Sequence, residues 1–106
     1  MRLKPVSLDP SGCGIAVDKE IESEFVRTLE ALRSMGYDVV RSKYDPVSFG
    51  NWYVEFRGRG RRFSVSKDRS QYFVQGDVEE LKQVDLYRAF NDLSELSAKL
   101  LAWAAA

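Results

Sequence analysis

Cys13 is the strongest candidate nucleophile in this 106-residue chain, and Gly12 and Gly14 on either side would let a substrate approach its sulfur closely. A thiol attacks as the thiolate, usually formed beside an imidazole. The chain contains no histidine, so that pair cannot be built. One cysteine and no histidine also exclude an internal disulfide and zinc centres of cysteine or cysteine–histidine type. Asp45 and Glu55 are loose candidates for a carboxylate pair, but no spacing places them across a cleft. Gly58-Arg59-Gly60-Arg61-Arg62 is glycine-rich and basic, yet it lacks the lysine and Ser/Thr of a phosphate-binding P-loop. No EF-hand spacing is present. No catalytic residue, cofactor or metal ligand is assigned, and the protein is expected not to be an enzyme. The role of Cys13 stays open.

The elements that would carry any site follow from periodicity. Hydrophobic residues form 44% and charged residues 30% of the chain, a globular composition sized for one domain over residues 1–106. Residues 1–16 hold Pro5, Pro10, Gly12 and Gly14 without a sustained period and read as an irregular lead-in. No apolar run reaches the ~20 residues of a membrane span. Met1-Arg2-Leu3-Lys4-Pro5 lacks the apolar region of a secretion signal. Asp18 is placed to cap a helix whose apolar stripe is Ile21, Phe25, Leu29, Leu32 and Met35, and Gly36 is placed to end it.

Period-two segments follow. Tyr37–Tyr44 has strand composition; Trp52, Val54 and Phe56 alternate with Tyr53, Glu55 and Arg57; Phe63 and Val65 alternate with Arg62, Ser64 and Ser66; Tyr72 and Val74 alternate with Gln71, Phe73 and Gln75. Two hairpin registers keep the apolar residues on one face: a turn at Gly58-Arg59, or a wider one through Arg61 that sets Arg57 opposite Arg62. Asp77-Val78-Glu79-Glu80 has the form of a capping box, and a longer helix is expected from Asp85 to about Trp103. These elements predict a two-layer α+β domain: an N-terminal helix, an antiparallel four-stranded meander and a C-terminal helix, with both helices on one face of the sheet.

The 16 basic and 16 acidic residues cancel, but they are segregated. Arg57, Arg59, Arg61, Arg62, Lys67 and Arg69 are interrupted only by Asp68, while acids gather at Glu20, Glu22 and Glu24 and at Asp77, Glu79 and Glu80. Phe56 to Val65 partly resembles the RNP1 pattern of RNA-recognition motifs. The glycines split two strands, however, and Phe56 and Phe63 fall on the core face, where no base can stack. Nucleic acid is therefore a disfavoured partner. A protein partner fits better: Tyr53, Arg57, Arg62, Phe73 and Gln75 face away from the core, and tyrosine and arginine are common interface hot-spot residues. Phe73 either meets a partner or packs under residues 1–16. Arg57, Arg59 and Arg62 are expected to stand in solvent.

Phe49-Gly50-Asn51-Trp52-Tyr53-Val54-Glu55-Phe56, followed by Phe63 to Val74 with Asp68-Arg69-Ser70-Gln71-Tyr72-Phe73-Val74, resembles small bacterial immunity-type proteins of polymorphic-toxin and contact-dependent growth-inhibition systems. The resemblance spans roughly residues 36–93, with Ser70 where the family pattern has glycine. It implies a cytoplasmic, non-catalytic protein that binds and neutralises a cognate toxin domain, and it transfers no binding residue. Two surfaces are open for that contact. One is basic and aromatic: Tyr53, Arg57, Arg59, Arg61, Arg62, Arg69 and Phe73. The other is acidic: Glu20, Glu22, Glu24, Asp77, Glu79 and Glu80. A nucleic-acid module using the Arg57–Arg69 hairpin and a small secretion or effector chaperone are the alternatives.

Overall fold

The computed structural model describes residues 17–47 and 50–106; the lead-in, Cys13, Phe49 and any cover of Phe73 by residues 1–16 lie outside them. Helix α1 (Lys19–Ser34) starts where Asp18 accepts the Glu20 N–H at 3.0 Å, and it buries Ile21, Phe25, Thr28, Leu29 and Leu32. Its end is a Schellman closure: Gly36 sits at φ +106°, its N–H bonds Arg33 O, and the Tyr37 N–H reaches back to Leu32 O, both at 3.0 Å. Tyr37 and Leu32 are both fully buried, supplying the hydrophobic contact of that motif.

Strands β1 (Asp38–Asp45), β2 (Asn51–Gly58), β3 (Arg61–Asp68) and β4 (Gln71–Gln75) form an antiparallel meander in that order. The wider β2–β3 register is the one adopted: Arg57 pairs with Arg62 and Gly58 with Arg61. The turn is Arg59-Gly60, at φ +52° and +75°. Two left-handed residues make a type I′ turn, whose twist matches the strands it joins. Gly58 is thereby left inside the strand, where close approach requires it. A Cβ at this position would lie 2.3 Å from the Gly36 carbonyl oxygen and 2.8 Å from Tyr37 Cα, so the end of α1 rests directly on the hairpin.

At the other end of the sheet, Asp68 pairs with Gln71 and Arg69 takes the positive φ of +63°. Asn51 Oδ1 accepts the Arg69 N–H at 2.6 Å, and its Nδ2 donates to Asp68 Oδ1 at 3.4 Å. Asn51 at the start of β2 thus clamps the β3–β4 turn.

The C-terminal third corrects one expectation: no helix begins at Asp85. Helix α2 (Val78–Gln83) is capped by Asp77, which accepts the Glu80 N–H at 3.1 Å. Asp85, at φ +57°, ends α2 instead of starting α3. Leu86 N–H bonds Leu81 O at 2.8 Å and Asp85 N–H bonds Lys82 O at 3.3 Å, the same closure that ends α1. Residues 86–92 then run beside β4, where Tyr72 and Phe90 exchange both backbone hydrogen bonds at 2.8 and 2.9 Å. Helix α3 (Leu93–Ala105) starts only after Asp92, which caps the Ser94 N–H at 2.9 Å. Leu86 and Phe90 are fully buried without being helical, so their spacing imitates a helical stripe.

Both long helices cover one face of the sheet. The Phe25 ring lies 5.4 Å from Trp52 and 6.3 Å from Phe56; Phe63 stacks on Phe56 at 5.2 Å and meets Trp103 edge-on at 5.2 Å. Trp52 and Val54 are buried and Arg57 is exposed, as the alternation requires. Between the helices, the buried Thr28 hydroxyl donates to Ser97 Oγ at 2.8 Å, satisfying a polar group that would otherwise be costly inside the core.

Candidate interaction surface

Alternation in β2, β3 and β4 directs Tyr53, Arg57, Arg62 and Phe73 to the face opposite the helices, and no described element lies over that face. The pairing arranges them in ranks. Asp38, Arg57 and Arg62 form one; Arg41, Glu55, Ser64 and Gln75 the next; Lys43, Tyr53, Ser66 and Phe73 the third. Arg57 and Arg62 stand directly opposite each other, an unfavourable like-charge pair. Glu55 relieves one partner only: Arg62 Nε donates to Glu55 Oε2 at 2.6 Å, and the Tyr53 hydroxyl donates to Oε1 at 3.0 Å. The Tyr53 hydrogen bond, with the Arg62 contact and the nearby Arg41 charge, outweighs desolvation and holds the Glu55 carboxyl below its ordinary range. Desolvation and the Glu55 carboxylate push the Tyr53 phenol up. Both groups therefore keep one protonation state near neutrality.

Glu55, Ser64, Arg41 and Lys43 were not singled out as surface residues from the sequence. The parity of β2 and β3 was sufficient to place Glu55 and Ser64. Ser64, with 5% of its surface exposed, floors a depression of about 150 Å³ flanked by Tyr53, Glu55, Arg62 and Gln75. Small serines between larger neighbours on β2 and β4 make a shallow groove along β3.

The other hairpin arginines are committed elsewhere. Arg59 Nη1 donates to the Ala104 carbonyl at 2.9 Å, and Arg61 Nη1 donates to the Trp103 carbonyl at 2.7 Å. The Arg61 guanidinium also lies 4.6 Å from the centre of the Trp103 ring. Unsatisfied carbonyls at a helix C-terminus attract cations, so these two residues fasten α3 to the β2–β3 turn. Arg59 remains exposed, but it is bonded to α3 and does not stand free in solvent. Arg69 belongs to the β3–β4 turn at the opposite end of the sheet, and Lys67 pairs with Glu24 at 3.3 Å. The run of cations is thus divided among three places.

The two acidic groups also lie apart. Glu24 joins α1 to the start of β4 and to β2: it accepts the Tyr72 hydroxyl at 2.5 Å and Trp52 Nε1 at 2.8 Å. Burial raises its carboxyl, but these hydrogen bonds and Lys67 outweigh that and leave it lowered. Tyr72 is pushed up to about 12 by desolvation and by Glu24. Asp77, Glu79 and Glu80 follow the far end of β4, where Asp77 caps α2 and Glu80 accepts Trp103 Nε1 at 3.1 Å. Glu20 and Glu22 occupy the exposed first turn of α1, and Glu79 that of α2.

A cleft of about 720 Å³ opens between α1 and the start of α3, edged by Glu24, Tyr72, Asn91 and Asp92. Among the described residues, no group of three or more His, Cys, Asp or Glu is placed to hold a metal, and no helix is long and apolar enough to cross a membrane. No family model, curated protein or solved structure matches this chain.

Proposed function

We propose that this protein is an immunity-type binding protein that neutralises a toxin domain in the cytoplasm by contact through the helix-free face of its sheet, without catalysis of its own. The observation that carries the proposal is that face itself. It combines Tyr53 and Phe73 with Arg57 and Arg62, residue types whose large area and multiple donors supply interface binding energy. The stretches that resemble immunity-type proteins support it further, and Asn51 of one is bonded to the Asp68–Gln71 turn of the other at one end of the sheet. Binding to a polynucleotide is less supported. Arg59 and Arg61 are used on α3, and Phe56 and Phe63 are in the core.

The test is co-expression with the toxin domain encoded in the adjacent reading frame. Growth should be restored, and the two purified proteins should form a stable complex. Continued killing together with no complex would overturn the proposal. Salt-sensitive binding to single-stranded polynucleotide would replace it with the nucleic-acid alternative. Binding only to the unfolded toxin chain would make the protein a chaperone.

A further inference from the structure

The pairing of Arg57 with Arg62 is a local violation that is only partly offset among the described residues: Asp38 is the other cross-strand neighbour of Arg57 but makes no ion pair with it. Like charges directly opposite each other in a sheet are destabilising, and departures of that kind from local consistency concentrate at functional sites. Glu55 neutralises Arg62 alone. Arg57, and Lys43 two ranks away, are exposed and form no ion pair with any described residue. In the three ranks nearest the β2–β3 hairpin, Arg41, Lys43, Arg57 and Arg62 face two carboxylates, Asp38 and Glu55, while Asp45 and Asp68 lie in the fourth rank, so the positive charge of this face is concentrated towards its hairpin end. Tyr53 and Phe73 flank Ser66 in the third rank, next to the depression floored by Ser64. These two aromatics belong to strands separated by ~10 Å, room for one row of side chains.

Resting on the reading above that the chain works by binding a protein, we infer that its partner presents an acidic footprint: a carboxylate that pairs with Arg57 and, two ranks further along the sheet, an apolar or aromatic side chain set between Tyr53 and Phe73. A phosphate chain is a poorer fit, because Glu55 and Asp38 sit among the cations and would repel its regularly spaced charges. The acidic groups on α1 and α2 are then not the contact. Glu24 and Glu80 are bonded internally, and the two groups occupy opposite ends of the sheet.

The experiment measures association of the full chain with an inactivated form of the toxin domain encoded beside it, at low and high salt. Arg57→Glu and Lys43→Glu should each slow association by about tenfold at low salt and flatten its salt dependence. Glu22→Lys and Glu79→Lys should leave it unchanged or faster. Phe73→Ala should speed dissociation. Circular dichroism checks that each variant keeps the wild-type fold, as expected for exposed, unpaired cations. Loss of binding in the Glu22 and Glu79 variants, with Arg57→Glu and Lys43→Glu unaffected, overturns the acidic-footprint inference and leaves the binding function standing. Displacement of the toxin by single-stranded DNA from wild type but not from Arg57→Glu also overturns it in favour of a polynucleotide. No binding by wild type overturns the functional proposal itself.

Discussion

Replacing Arg61 with alanine separates the cations that hold the fold from those that face outward. Its guanidinium reaches the Trp103 carbonyl at 2.7 Å, the Ala104 carbonyl at 3.4 Å and the Ala106 carbonyl at 3.4 Å, and it lies 4.6 Å from the centre of the Trp103 ring. A hydrogen bond to a charged group contributes about 1.5–3 kcal/mol. A cation at a helix C-terminus adds about 0.3–1 kcal/mol, and an exposed cation–π contact about 0.5–1 kcal/mol. These contributions share the same few atoms and do not add. Arg59 also stays on the Ala104 carbonyl at 2.9 Å, partly compensating the loss. The expected cost is therefore ~2 kcal/mol, at the lower part of the charged hydrogen-bond range. For a domain of this size that lowers Tm by about 8 °C. Arg57→Ala, four residues away on the same hairpin and without an ion pair, should change stability by less than ~0.5 kcal/mol. Thermal and urea unfolding followed by circular dichroism, with Trp103 fluorescence as a second probe, distinguishes the two variants. Equal and small shifts in both, or a larger loss in Arg57→Ala, would refute the division of the hairpin arginines.

Other outcomes follow from the packing. Gly58→Ala should destabilise by at least ~1–3 kcal/mol by forcing apart the hairpin and the end of α1, seen as a lower urea midpoint. Leu29→Ala should cost ~2–5 kcal/mol by opening a cavity under α1, read from the same urea titration. Glu24 is held below its usual 4.5, so its stabilisation is present above that pH and is lost as pH falls through the lowered value; Glu24→Gln should flatten the acid limb of urea midpoint against pH. Tyr72 is raised from 10.0 to about 12, so its contribution is complete below pH 10 and is lost as pH rises towards about 12. Tyr72→Phe should remove that alkaline slope, and an unchanged slope would show that the Glu24–Tyr72 contact does not matter energetically.

Much of the architecture was written in local patterns. The stripe from Ile21 to Met35, the glycine after it and the alternation in β2 to β4 each report which side of an element meets the core, because helix and strand periods translate burial directly into spacing. The same parity placed Tyr53, Arg57, Arg62 and Phe73 on one face. Asp85 was misread because aspartate serves both to start helices and, at positive φ, to end them. Leu86 and Phe90 then imitated a helical stripe while Phe90 was pairing with Tyr72 as an added bridge.

What the chain determined by itself is thus the set of faces: which residues are buried and which are turned outward. Only the tertiary structure decided how the charges are used. The segment from Arg57 to Arg69 looks uniform along the chain, but a two-residue shift in position moves a side chain from the helix-free face, between Asp38 and Arg62, to the carbonyls ending α3. Hydrogen-bond partners of long polar side chains lie far away in sequence, as Arg59 and Ala104 do, and no local period encodes them. The close fit of Gly58 against Gly36 and Tyr37 is of the same kind, a contact that exists only once α1 has docked.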